Sequence, residues 1–151
     1  MGKHPRILAL DLGVKTCGLA ISDPDWKISY PLEQFNFKRY DFASLISRIA
    51  FWLEQYKIST IVLGYPLTLN GKISPRTKMV ENFAYLIKKN LKINVIFQDE
   101  RFSTKQAQNF LLDLGISFKK RQKIIDKLAA QIILERFLET ENKKQQKTKI
   151  K

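Results

Sequence analysis

Three carboxylates set in apolar runs are the residues here with chemistry to offer: Asp11 in ILALDL, Glu100 in IFQDER and Asp126 in KIIDKLAA. A carboxylate buried without a partner is costly, so each must meet a cation, meet a metal ion or stand at an exposed rim. Asp11 ends an apolar strand beside Gly13, where ligand sites of α/β sheets lie. The plainer role for it is a turn, its oxygens accepting from the following backbone N–H groups. Asp99, Glu100 and Arg101 close a later apolar run in a mirrored position. Adjacent carboxylates repel and hold protons more tightly unless a cation stands near, and Arg101 is within local reach. An ordinary loop ion pair is the competing reading. Side chains alternate along a strand, so one of Asp99 and Glu100 points toward Asp11, and Glu100 is favoured. Asp126 shares a helical face with Ala129, Ala130, Ile133 and Phe137, and so heads an apolar stripe suited to packing on a sheet. For Asp126 the alternative is a solvated pair with Lys119, Lys123 or Lys127.

Oxygen donors from three separated segments, in a chain with one histidine and one cysteine, suit Mg²⁺ or Mn²⁺ rather than Zn²⁺. Two such ions about 3.5 to 4 Å apart can activate a water and stabilise the departing oxygen of a phosphodiester, with no thiol or histidine required. A metal-dependent nuclease is the reaction class indicated. The charge agrees: 27 Lys and Arg against 14 Asp and Glu leave +13 on 151 residues, a field that draws polyanions, nucleic acid foremost. Basic residues placed to meet phosphates are Lys15, Lys72, Arg76, Arg101 and the cluster Lys119, Lys120, Arg121 and Lys123, with a solvated basic face as the alternative.

Elements must hold these groups in place. A hydrophobic fraction of 44% with ten Phe excludes intrinsic disorder and is enough for one core. Period-two runs predict strands over 6–12, 16–22 and about 27–35, joined by short turns as an antiparallel meander. Helical spacing follows over 41–56, where Trp52 reads as core, then a buried strand over 59–63 and a helix opening at Ser74-Pro75. A fifth strand over 94–98 precedes a helix capped by Ser103 or Thr104 that stops at Gly115, and a last helix runs from 118 or 119 to 139. The class is α/β: a mixed five-stranded sheet flanked by about four helices, because parallel additions need helical crossovers while the meander does not. Residues 1–140 form a single domain, and 141–151 a basic tail expected to be disordered.

Lone Cys17 excludes an intrachain disulfide and fits a reducing cytoplasm. The apolar residues 7–10 are cut off by Asp11 before they reach the length of a secretion signal, and no run approaches a bilayer span, so no membrane partner is expected. GYPLTLNGK at 64–72 fails as a phosphate loop, with Pro66 where Gly is required and Ile73 where Ser or Thr is required. His4 reads as surface.

Together LALDLGVKTCGLAISDP, IVLGYPLTLNGKISPRT, DERFST and IDKLAAQIILERFLE, spanning about 6–139, resemble the YqgF-type Holliday-junction-resolvase-like family, also described as pre-16S rRNA nucleases. The resemblance implies a ribonuclease H-like fold with strand order 3-2-1-4-5 and an acidic site on Asp11, Glu100 and Asp126. It implies cytoplasmic maturation of the 5′ end of pre-16S rRNA. Lys15-Thr16-Cys17-Gly18 departs from the family's usual Lys-Arg-aliphatic-Gly, which puts one phosphate contact in doubt, and DERFST replaces DER-Leu-Thr-Thr while keeping two hydroxyls. Two competing functions remain. A DNA junction endonuclease needs two sites for symmetric cuts and predicts a dimer, whereas RNA trimming is compatible with a monomer or weak homodimer. A non-catalytic RNA-binding or ribosome-assembly module predicts indifference to Asp11→Asn. An actin-like ATPase fails on length, since that fold needs two domains.

Overall fold

The computed structural model describes residues 4–100 and 103–150. Strands β1 (Arg6–Leu12), β2 (Thr16–Ser22) and β3 (Ser29–Asn36) form the meander. Helix α1 (Phe42–Gln55), strand β4 (Ile58–Tyr65), helix α2 (Pro75–Leu91) and strand β5 (Asn94–Asp99) follow, then α3 (Ser103–Asp113) and α4 (Phe118–Ile150). The strands make one mixed sheet in the order β3-β2-β1-β4-β5, antiparallel at β1–β2 and β2–β3 and parallel at β1–β4 and β4–β5. This is the mixed five-stranded sheet and strand order expected.

Alternation along the strands sorts the core into two layers. Leu8, Leu10, Leu12, Ile61 and Leu63 pack with Leu45, Ile49, Phe83 and Ile87 under α1 and α2. Ile7, Ala9, Ala20 and Val62 pack with Ala130, Ile133, Leu134 and Phe137 under α4. Local chemistry sets the helix starts: Asp41 caps α1 through the Ser44 N–H, and Ser74 and Thr77 make a reciprocal capping box ahead of Pro75. Trp52 is half-buried against the first layer, its indole N–H donating to Glu33 Oε1 at 2.8 Å. His4 is exposed, as expected.

β4 runs to Tyr65, two residues past expectation, and the boundaries of β3 and α4 differ as well. β3 begins two residues late, because Asp23 Oδ1 accepts from the backbone N–H groups of Lys27 and Ile28 at 2.7 and 2.8 Å and holds them in the turn. α4 does not end at 139; it continues through Ile150, so the segment expected to be a disordered tail is helical. After 139 the apolar stripe stops but no Gly or Pro intervenes, and helix formers carry the chain on. Pairs of Lys143 with Glu139 and Lys144 with Glu141 brace the turns, and Asn142 donates to the Trp26 carbonyl at 3.3 Å. Among the described residues no helix is long and apolar enough to cross a membrane.

Candidate active site

The parity that fills the α4 layer also builds the site. Asp11 continues the row of Ile7 and Ala9, Gly64 that of Val62, and Glu100 the parity of Ile96 one residue beyond β5. All three therefore reach the carboxyl ends of adjacent strands on the face that α4 covers. From that helix Asp126 closes a cleft of about 270 Å³, lined also by Arg76, Gln122, Ile125 and Ala129. The three carboxylates predicted from sequence share one cleft. Asp99 is one step out of phase and sits in register with Tyr65, while the Glu100 N–H donates to the Tyr65 carbonyl at 3.5 Å.

Small residues make the approach possible. Gly18 lies opposite Asp11 on β2, where a Cβ would crowd Gln34 Oε1 at 3.1 Å while meeting Ala130 and the Asp11 Cβ at ordinary contact distances of 3.5 and 3.8 Å. At Gly64 an added Cβ would meet Ile133 at 2.6 Å and the Glu100 carboxylate at 2.8 Å, closer than real Cβ atoms come. Gly64 thus vacates the space that Glu100 occupies.

The electrostatics are those of a site short of positive charge. Burial raises the proton affinity of Asp11, the Arg76 guanidinium opposes this, and Asp126 adds to it. Burial, then the charge of Asp11, pushes the Glu100 carboxyl up to about 7, with Arg76 again opposing and Asp99 adding. Arg76, expected as a phosphate contact, stands 3.6 Å from Asp11 Oδ1 and donates to the Leu12 carbonyl at 3.4 Å. Gln122 donates to Asp126 Oδ1 at 3.2 Å. Among the described residues no three His, Cys, Asp or Glu groups are gathered tightly enough to hold one ion. In kind, though, the donors fit a hard divalent cation: three carboxylates on one cleft, two of them with raised proton affinity.

The basic residues divide. Lys15 is exposed in the β1–β2 turn, and Lys72 is exposed in the loop before α2. Lys119, Lys120 and Lys123 are exposed on the first turns of α4. Arg121 is turned inward: its guanidinium donates to the Ile116 carbonyl at 2.6 Å and to Gln108 Oε1 at 3.2 Å, clamping α3 to α4. Arg101 and the side chains of Ser103 and Thr104 lie outside the described residues. Sequence reasoning missed Gly64 and Gln122. Gly64 had a signal, a glycine inside a β-branched strand, which marks a close approach; Gln122 carried none.

Residues 5–140 match the family described as RuvX: Holliday junction resolvase. A protein of Mesomycoplasma hyopneumoniae strain 7448 named "Putative pre-16S rRNA nuclease" is 81% identical over 140 residues, covering 93% of this chain and 98% of its own. Proteins of the same name from Mycoplasmopsis pulmonis and Geobacillus sp. strain WCH70 are 40% and 36% identical, covering 91% and 89% of this chain and 95% and 98% of theirs. Among solved structures, T. thermophilus RuvC in complex with Holliday junction substrate is 12% identical, with a TM-score of 0.49 over 70% of each chain. The chain belongs to the RuvX family of Holliday junction resolvases, and its enzymatic class is that of a nuclease.

Proposed function

We propose that this chain hydrolyses phosphodiester bonds of structured RNA in the cytoplasm, in maturation of the 5′ end of pre-16S rRNA, acting as a monomer or weak homodimer. The observation that carries the reading is the convergence of Asp11, Glu100 and Asp126 on one cleft, in a chain whose 81% identical relative is named a pre-16S rRNA nuclease. Asp11, Glu100 and Asp126 would hold the divalent ions, two Mg²⁺ or Mn²⁺, which when bound supply an activated water and neutralise charge on the phosphate. Arg76 offsets part of the burial that raises the Asp11 carboxyl and marks where a phosphate enters the cleft. Lys15, Lys72, Arg101, Lys119, Lys120 and Lys123 guide the strand, Arg121 supporting the last three through the α3–α4 clamp. Residues 1–140 are the catalytic domain, and the lysine-rich 141–151 add salt-sensitive affinity.

The test is cleavage of end-labelled precursor ribosomal RNA and of a four-way DNA junction in Mg²⁺ or Mn²⁺, with EDTA as control. Asp11→Asn is expected to reduce RNA cutting by on the order of a thousandfold. Equal cutting by the Asn variant would overturn the carboxylate site, and preferential cutting of the junction would reassign the substrate.

A further inference from the structure

Beside the carboxylate cleft lies a second hollow of about 420 Å³, lined by Gly13, Val14, Tyr40, Pro75, Arg76 and Met79. Arg76 is common to both, so a phosphate held near Arg76 places the adjoining nucleoside within one residue's reach of this hollow. Its rim is an aromatic in a strained position. Tyr40 has φ 61°, a left-handed conformation unfavourable for a bulky side chain, yet the residue is 55% exposed. The strain is imposed by the backbone: the Tyr40 N–H donates to the Val14 carbonyl at 2.8 Å, Phe42 N–H to Tyr40 at 2.8 Å, and Phe37 N–H to Lys15 at 2.9 Å. The loop between β3 and α1 is thereby fastened to the β1–β2 turn next to Asp11.

Among the described residues two other non-glycine residues lie at positive φ. Lys92 is the C-cap of α2, and Trp26 packs in the α4 layer with its indole N–H on the Pro5 carbonyl at 2.8 Å. Tyr40, third in the turn that the Asp41 N–H closes on the Lys38 carbonyl at 2.8 Å, presents an exposed ring that edges Phe42 and is covered in part by the Arg39 guanidinium, 5.2 Å from its centroid. Val14, Pro75 and Met79 supply an apolar floor, and positive charge comes from Arg76 in the lining and from Arg39 against the Tyr40 ring. An aromatic plane with an apolar floor and flanking cations is the chemistry that holds an unstacked nucleobase by its face and the neighbouring phosphates by charge.

We propose that Tyr40 and this hollow form a base-stacking subsite for an unpaired nucleotide next to the scissile phosphate. A paired base inside a duplex cannot offer its face to the ring, so the subsite selects single strands and the ends of helices over continuous duplex. Only the placement beside a scissile phosphate rests on the nuclease reading; the subsite itself is tested by binding.

The full chain in EDTA, where binding is read without cleavage, is titrated into fluorescein-labelled single-stranded RNA, single-stranded DNA of the same sequence, and a blunt RNA duplex. Tyr40→Ala and Tyr40→Gly are expected to weaken single-strand binding about tenfold, Tyr40→Phe to keep it, and duplex binding to change by less than about twofold. Glycine adopts φ 61° freely, so Tyr40→Gly preserves the loop while removing the ring, and circular dichroism melting verifies its fold. Tyr40-dependent binding of either single strand supports the subsite. Unchanged single-strand affinity in the Gly variant, or equal loss for duplex and single strand, overturns it. Tyr40-dependent binding alongside cutting indifferent to Asp11→Asn would sink the nuclease reading and leave the subsite standing; the reverse pair of results would do the opposite.

Discussion

On one face of the sheet Leu8, Leu10, Leu12, Ile61 and Leu63 meet Leu45, Ile49, Phe83 and Ile87, large side chains closed over by two helices. On the other face the same strands offer Ile7, Ala9, Ala20 and Val62 to a single helix, and toward the carboxyl ends the row turns to Gly18, Gly64, Asp11 and Glu100. The first layer is filled to the edge, with Tyr65 and Met79 extending it. The second stops short, and the space left at Gly64 is taken by the Glu100 carboxylate beside the cleft. Apolar area held out of water stabilises the first layer, whereas the second gives up some of that gain to bring like charges together. One face secures the fold so that the other can carry an arrangement that opposes it.

Truncation in the filled layer is the largest stability change expected. Phe83 is fully buried, so Phe83→Ala should cost about 3 to 5 kcal/mol by denaturant unfolding, with cutting per folded molecule unchanged. Loss of activity beyond the loss of folded protein would mean that the two faces are not separable.

The open layer should respond to pH instead. Glu100 is held at about 7 when folded and near 4.5 when unfolded, so between those values the folded state keeps a proton that the unfolded state has released. Stability therefore falls as pH rises from 4.5 to 7, by at most about 3 kcal/mol, and is not regained above it. The raised Asp11 carboxyl acts in the same direction. Glu100→Gln should flatten this slope and melt at a higher temperature than wild type at pH 8, while losing cutting. Melting curves across pH that superimpose for the two proteins would show that Glu100 is not strained in the fold. Saturating Mg²⁺ should flatten the wild-type slope too, because a cation favours the ionised carboxylates.

Gly64→Ala sharpens the contrast at the smallest expected cost. The new Cβ would press on the outer atoms of Ile133 and Glu100, which can shift, so stability should drop by only about 1 kcal/mol. Cutting should fall further than stability does, since the displaced group is the Glu100 carboxylate. Retained activity with a fallen melting temperature would assign Gly64 to packing alone.

Much of this was legible along the chain. Alternation placed β1 and β2 to the residue, Pro75 after Ser74 marked the start of α2, and carboxylates in apolar runs pointed to Asp11, Asp126 and one of Asp99 and Glu100, strand phase favouring Glu100. Such signals are local, carried by period, caps and the cost of burying charge. The end of α4 was misread because the pattern signals packing, and the last turns depend on helix propensity rather than on an apolar stripe.

What the sequence determined by itself is therefore the fold class, the strand phase and the identity of the acidic residues, since each follows from which side chains can leave water and at what spacing. Only the tertiary structure decided that Arg76, though largely exposed, stands beside Asp11, that Arg121 is spent on a helix clamp, that Gly64 makes room for Glu100, and that Tyr40 rims a second hollow. Those relations join residues far apart in the chain, and their meaning lies in a few ångströms of approach between elements that no local pattern encodes.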